Sequence, residues 1–369
     1  MNMQPEKLGV RELAAIAILM VGSKATEDTP SLIYNQVQNA SWMIPLLSAG
    51  IFFIPFYLLM KTLSLYQDKN LFAVIQKLLG KYIGFFVCLL IFCINSFAIS
   101  IDSRTYTNII RSFYFTTTPN VILFGILMFI CAYGAKKGIL HIGSVSYLIV
   151  FYAVVSLYLV FIISTQDIII QSIFPIWGSG IVEVIKGSSQ KTTIFADFFL
   201  MTMLLPYMKS FKTFKKGIWF SYIYVSFQIC LTILVFICMF DTSLGGIGYP
   251  FHTAIRYISL GTYIPNVEII FFIIWVMSAI IRFSAFLYIN ALMFGHIFKI
   301  KDFEYLIPSL ATIYLLIGMV PETPMEVSID IKPVIISVAG PIFAVTSMIL
   351  WATAYIKGEF KGAKNKNIL

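Results

Sequence analysis

The stretch ELAAIAILMVGSKATEDTPS, residues 12–31, begins as a membrane-spanning helix and stops being one halfway. About ten apolar residues run to Gly22, a reach of about 15 Å at 1.5 Å per residue. Ser23, Lys24, Glu27, Asp28 and Pro30 follow. A bilayer core is about 30 Å thick, so Gly22 falls near mid-membrane and polar sequence fills the outer half. Free backbone at that depth persists only inside protein or beside a water-filled cavity. A helix that ends early at Gly22, with an outer loop after it, is the plainer alternative.

The rest of the chain supports a bilayer as its solvent. Of 369 residues, 59% are hydrophobic and 12% charged. Soluble domains average about 45–50% apolar and about 25% charged. Cys88, Cys93, Cys131, Cys230 and Cys238 all lie in apolar segments without a CxxC pair, and read as small buried hydrophobes. His141, His252 and His296 are scattered, so a shared metal is not expected. No zinc, P-loop or triad pattern occurs, and no cleaved signal order is visible at the N-terminus. Neither a cofactor nor an enzymatic activity is expected.

Segments near 20 apolar residues occur at about 10–33, 42–61, 82–113, 119–135, 141–164, 191–208, 216–240, 263–294, 304–320 and 333–356. The expectation is therefore an all-α integral membrane protein with ten transmembrane helices, a single membrane domain over 1–369. Ten spans leave both termini on one side. With the N-terminus inside, most of the 26 basic residues fall on inner segments, among them Lys7, Arg11, Lys61, Lys81, Lys136, Lys137, Lys212, Lys216, Lys299 and Lys357. The last outer loop, PETPMEVSID, is acidic. This is the positive-inside pattern, so both termini are assigned to the cytoplasm. It attributes the net charge of +9 to topology and anionic lipid, not nucleic acid.

Span six is also short. Lys191 and Lys209 bracket TTIFADFFLMTMLLPYM, with Asp197 inside and Pro206 near the inner end. Spans one and six open two five-helix halves, about 10–164 and 191–356. Interrupted segments at matching positions of two halves are the sequence pointer to an inverted-repeat fold with a midplane binding site. On this reading helices 1 and 6 are broken and frame the ligand.

Ionisable residues within the membrane cost about 2.5–3.5 kcal/mol on insertion scales, so they face a bundle interior or cavity. In SFAISIDSRTYTNII, residues 96–110, Asp102 and Arg104 are two apart and do not face each other on a helix. Counted from Lys81, Asp102 stands near the outer boundary unless the helix is long and tilted. Solvated charges at an outer helix end are the plainer alternative for Arg104 and Arg111, and Asp102 reads as a structural or gating ion pair. Glu268 marks the outer end of span eight and joins Asp102 and Arg104 as a candidate gating or ion-pair residue. Arg282 lies at mid-depth among Ser278 and Ser284 and needs a partner. Asp197 is the natural candidate. A ligand carboxylate, Asp102 and the carbonyls of a broken helix are the alternatives. Gly22, Ser23, Lys24, Asp197, Ser278 and Arg282 are the candidate ligand-binding residues.

The order VGSK…TP…NASW, GKYIG…IDSRTYTNIIRSF…TTTP, YGAKKG, IFPIWGSG and LLPYMK resembles the permease-like B subunit of spore germinant receptors, over essentially the whole chain. The resemblance implies ten helices in the leucine-transporter-like 5+5 arrangement of the amino acid–polyamine–organocation transporters. It implies a multi-pass protein of the spore inner membrane acting with a receptor A subunit and a lipoprotein C subunit. A small nutrient, such as an amino acid, would be sensed at mid-membrane. By the resemblance, Gly22 matches the break of the first helix, Ile94 and Ala98 match pocket-facing positions of the third, and Asp197 and Arg282 fall in the pocket walls. The family commonly carries an acid one turn after Asp197, where this chain has Leu200. Lys24, Asp197 and Arg282 make this pocket more charged than one built for a simple apolar amino acid. The rival reading is a secondary active transporter using Asp197 or Glu12 as a proton or cation site.

Overall fold

The computed structural model describes residues 7–257 and 267–365. Among these the chain is helical throughout, and its helices group into ten spans. Span one is divided, as its sequence demands. Helix α1 (Val10–Gly22) stops at Gly22, a 3-10 turn carries Ser23–Thr26, and α2 (Thr29–Val37) restarts with Pro30 in its first turn. Pro lacks an N–H and fits there without loss. Helix α1 is buried along most of its length, packed by the helices Ile139–Ser164, Phe211–Phe240 and Val267–Phe298, so its free carbonyl end lies inside protein.

Span two is α3 (Met43–Leu63), followed by the short inner helix α4 (Leu71–Leu79). Span three, α5 (Lys81–Phe113), is unbroken for 33 residues, about 50 Å. That exceeds the bilayer core, so the helix must tilt or protrude. Spans four and five are α6 (Asn120–Lys136) and α7 (Ile139–Ser164). Exposed Phe86, Phe129, Leu148, Phe151 and Ile162 give these helices a lipid-facing surface.

Span six starts earlier than the sequence suggests. Its first half is α8 (Ile181–Gln190), where IVEVIKGSSQ is too polar to read as a span. The break is the 3-10 turn Lys191–Phe195, followed by α9 (Asp197–Met201) and a further 3-10 turn, Thr202–Tyr207. Helix α8 packs on α2 and α3, so the second half of span one and the first half of span six adjoin. Their opposite ends are tied as well: Leu8 N–H donates to the Tyr207 carbonyl at 2.9 Å, in an isolated parallel bridge between Leu8 and Met208.

Spans seven to nine are α10 (Phe211–Phe240), α12 (Val267–Phe298) and α13 (Ile307–Gly318), with α11 (Pro250–Tyr257) between the first two. The first residues expected for span eight, 263–266, lie outside the described residues. Span ten is α14 (Lys332–Ile356), entered through a π-helical turn at Glu326–Ile331 and followed by α15 (Glu359–Asn365). A buried network joins spans three, eight and nine. Asn95 donates to Asn290 at 2.6 Å, Asn290 to Tyr314 at 2.9 Å, and Ser96 and Tyr314 share a bond of 3.0 Å. In contrast, α14 is docked on the break of span six. The Thr193 hydroxyl donates to the Ile336 carbonyl and accepts from Gly340 N–H at 2.7 Å, one turn later.

Candidate functional site

The two breaks meet through Lys24. Its Nζ donates to the carbonyl of Ile194 at 3.0 Å and to that of Thr193 at 3.3 Å, which also accepts from Ala196 N–H at 3.1 Å. The same Nζ stands 2.7 Å from Asp197 Oδ2, both side chains being close to nine-tenths buried. A buried ammonium is tolerable here because a carboxylate and two helix-end carbonyls face it.

Arg282 is fully buried on α12 and holds the other side of the break. Its Nη1 donates to Ser23 Oγ at 2.7 Å and to the Tyr106 hydroxyl at 3.2 Å. Its Nη2 donates to Asp102 Oδ2 at 2.7 Å. The rings of Tyr106, Phe283 and Phe286 stand within 6 Å of the guanidinium. Tyr106 in turn stacks on Trp275, which donates to Thr26 Oγ1 at 3.0 Å.

The pairing of Arg282 with Asp197, the first choice from sequence, is therefore corrected. Arg282 takes Asp102, and Asp197 takes Lys24. The long α5 carries Asp102 to the depth of Arg282 instead of leaving it at the outer boundary. Arg104 needs correction too. It is buried, not solvated, with Nη1 2.8 Å from Met319 Sδ. Arg111 is exposed, as expected.

Lys332 was not picked out from sequence. It lies at the head of α14, 4% exposed, with Nζ 2.5 Å from Asp28, 3.2 Å from Glu27 and 3.8 Å from Asp102. Ser328, in the π-helical turn, donates to Asp28 at 2.9 Å, and Thr29 to Glu27 at 3.1 Å. The available signal was a lysine directly before Pro333, opposite the acids of span one. A continuous ionic chain thus runs Arg282–Asp102–Lys332–Glu27/Asp28 and ties spans eight, three, ten and one.

Between this chain and the Lys24–Asp197 pair lies a cavity of about 60 Å³ lined by Lys24, Glu27, Ala98, Asp102, Lys191, Asp197 and Lys332. Such a volume holds several waters or a small polar molecule. Of the other candidates, Gly22, Ser23 and Ser278 line a second cavity behind the break. Ile94 is half-buried on α5 outside both. Glu268 pairs with Arg256 at 3.7 Å at the protein surface, away from the site. Glu12 lies in the first turn of α1, at the opposite end of that helix from the break.

A family model described as "Spore germination protein" matches residues 11–327. The chain belongs to the spore germination permease family. Among its relatives, spore germination protein KB of Bacillus subtilis (strain 168) is 20% identical over 305 residues, 81% of each chain. Spore germination protein A2 of the same organism is 25% identical over 276 residues, 71% of this chain and 73% of its own. Among solved structures, a Na+-coupled sialic acid symporter in a substrate-bound, outward-open state aligns with a TM-score of 0.62. The alignment has 10% identity and covers 93% of this chain and 78% of the symporter. At that identity the likeness concerns fold, and it gives this spore germination permease the leucine-transporter-like arrangement that the family resemblance implied. The chain is a germination-related, permease-like, multi-pass membrane protein.

Proposed function

We propose that this chain is the nutrient-sensing subunit of a spore germination receptor in the spore inner membrane, with both termini cytoplasmic. A small polar nutrient, such as an amino acid, occupies the cavity between the breaks of spans one and six. The observation that carries the reading is the reach of Lys24, on one break, to two carbonyls and a carboxylate of the other. A ligand that competes for those groups changes how the two broken spans are held. Differential affinity for two arrangements is sufficient to shift a conformational equilibrium. Partner subunits, an A subunit and a lipoprotein C subunit, read the outcome. No covalent step is involved, so the protein acts as a receptor and not an enzyme.

A nutrient screen by thermal shift on the assembled receptor tests this. A binding nutrient at 100 times its dissociation constant stabilises the protein by about 2.7 kcal/mol. Absence of a shift with every nutrient that triggers germination through this receptor would oppose the reading.

A secondary active transporter of the same fold is the second reading. Three carboxylates converge on the single ammonium of Lys332, a setting in which a proton or cation offsets surplus negative charge. Net uptake of labelled nutrient by vesicles holding this chain alone would favour it.

A further inference from the structure

The 3-10 turn Ser23–Thr26 presents two different faces. Lys24 and Glu27 line the charged cavity, whereas Ser23 and Thr26 line another of about 50 Å³ on the side of α7, α10 and α12. With three residues per turn, positions three apart share a row, which separates these pairs. The second cavity contains no charged side chain. Ile18, Ala153, Leu157, Phe251 and Trp275 supply mostly apolar walls.

One polar group in it stands out. Gln228 is 7% exposed, lines the cavity, and donates only a long bond, 3.4 Å, to the Gly22 carbonyl. Its Oε1 is buried without a hydrogen-bond partner. A buried acceptor left unpaired costs about 1–3 kcal/mol, so an occupant that donates to it once the flexible amide turns to the cavity is favoured. Most of the neighbouring hydroxyls are already engaged. Thr26 donates to the Ser23 carbonyl and accepts from Trp275, Ser278 donates to the Ile274 carbonyl, and Ser23 accepts from Arg282. The Ser156 hydroxyl also lines the cavity and can serve as a second polar contact for an occupant. Buried waters need two to four polar partners each, which these apolar walls do not supply to a cluster. Of its lining residues, Ile18, Ala153, Val154 and Ile274 are half-buried, so the cavity adjoins the lipid-facing surface.

We propose that this cavity is a second binding site, for a small uncharged amphiphile with one hydrogen-bond donor and a short apolar body, of the short-chain alcohol class. The donor is received by Gln228 Oε1, the body packs on Trp275, and the molecule enters from lipid. It rests against the back of the span-one break, so its binding holds Gly22 and Ser23 in their present arrangement. The proposal stands without the nutrient reading, because it concerns the opposite face of the turn.

Trp275 provides the test. The full chain in nanodiscs is titrated with 2-bromoethanol, whose bromine quenches indole fluorescence on contact. The result expected is a saturable component at millimolar concentration, as four heavy atoms permit, that disappears in Trp275→Phe. Gln228→Leu moves half-saturation up at least fivefold, and 1-bromopropane, which lacks the donor, binds correspondingly worse than 2-bromoethanol. Ala153→Phe, which fills the cavity, abolishes the saturable component and guards against misfolding of the Gln228 variant. Quenching that rises linearly in the wild type would overturn the site. Equal half-saturation in wild type and Gln228→Leu, or for the alcohol and the bromoalkane, would overturn the donor assignment.

Discussion

Lys24 and Asp197 stand 2.7 Å apart across the two helix breaks, while Arg282, at similar depth, turns to Asp102. The Lys24–Asp197 pair is thus separate from the chain that Arg282 forms with Asp102 and Lys332. Removing one member of a buried pair typically costs about 3–5 kcal/mol, because the survivor keeps its desolvation cost without its partner. Lys24→Met and Asp197→Leu should each lower protein abundance in the membrane, and the double variant should recover much of it. The cycle Asp102→Ala with Arg282→Ala should be similarly non-additive. Asp197→Ala with Arg282→Ala should show weak coupling, and strong coupling there would contradict the pairing.

Lys332 pairs with Glu27 and Asp28 and reaches Asp102, so it fastens span ten to the second half of span one. Lys332→Met should leave these carboxylates uncompensated and loosen that contact. A cysteine placed at Ala98, which lines the charged cavity, should then label faster with an impermeant thiol reagent from outside. An unchanged labelling rate would show that Lys332 is no barrier to the cavity.

Gly340 faces the span-six break so closely that a Cβ there would lie 2.6 Å from Thr193 N and Thr192 Oγ1. Gly340→Val should cost about 1–3 kcal/mol by overpacking and displace the break. Gly50→Val has open space and no such contact, so its abundance should match the wild type. Equal thermal stability of the two variants would dismiss the docking argument.

At Gly22 a Cβ would stand 2.8 Å from Gln228 Oε1, the far end of a flexible side chain. Gly22→Ala should therefore be accommodated, whereas Gly22→Leu should impair nutrient response while the protein stays in the membrane. A normal response of Gly22→Leu would remove the span-one break from the mechanism.

Topology has its own check. Single cysteines replacing Lys212 and Lys364 should label only from the cytoplasmic side, and those replacing Glu183 and Glu322 only from the outside. External labelling at position 364 would overturn the ten-span assignment.

The break at Gly22 was legible because hydrophobicity stops there, and a bilayer punishes that unless the backbone is enclosed. The second break was legible only in part. Asp197 and the bracketing lysines announced a short span, but α8 in IVEVIKGSSQ is amphipathic and packs on α2 and α3, so no apolar run revealed it. The partners of the charges were legible only as alternatives, with Asp102 standing behind Asp197 for Arg282. Depth counted along one helix assumes that it stands upright, and the 33 residues of α5 do not fit upright within the bilayer core. Lys332 was missed for a related reason. It marks a span end in one dimension, and its three acids come from residues 27, 28 and 102, brought together only by packing.

The central claim is that a nutrient sits between the two breaks, and Ala98 gives the most direct measurement. It lines the charged cavity without joining any ion pair, so Ala98→Phe fills the space and leaves the charges in place. Nutrient-induced thermal stabilisation is measured on the assembled receptor, wild type and Ala98→Phe, at the same nutrient concentration. The account predicts a shift in the wild type that is lost in Ala98→Phe while the nutrient-free melting temperature is nearly unchanged. An undiminished shift in Ala98→Phe would contradict it.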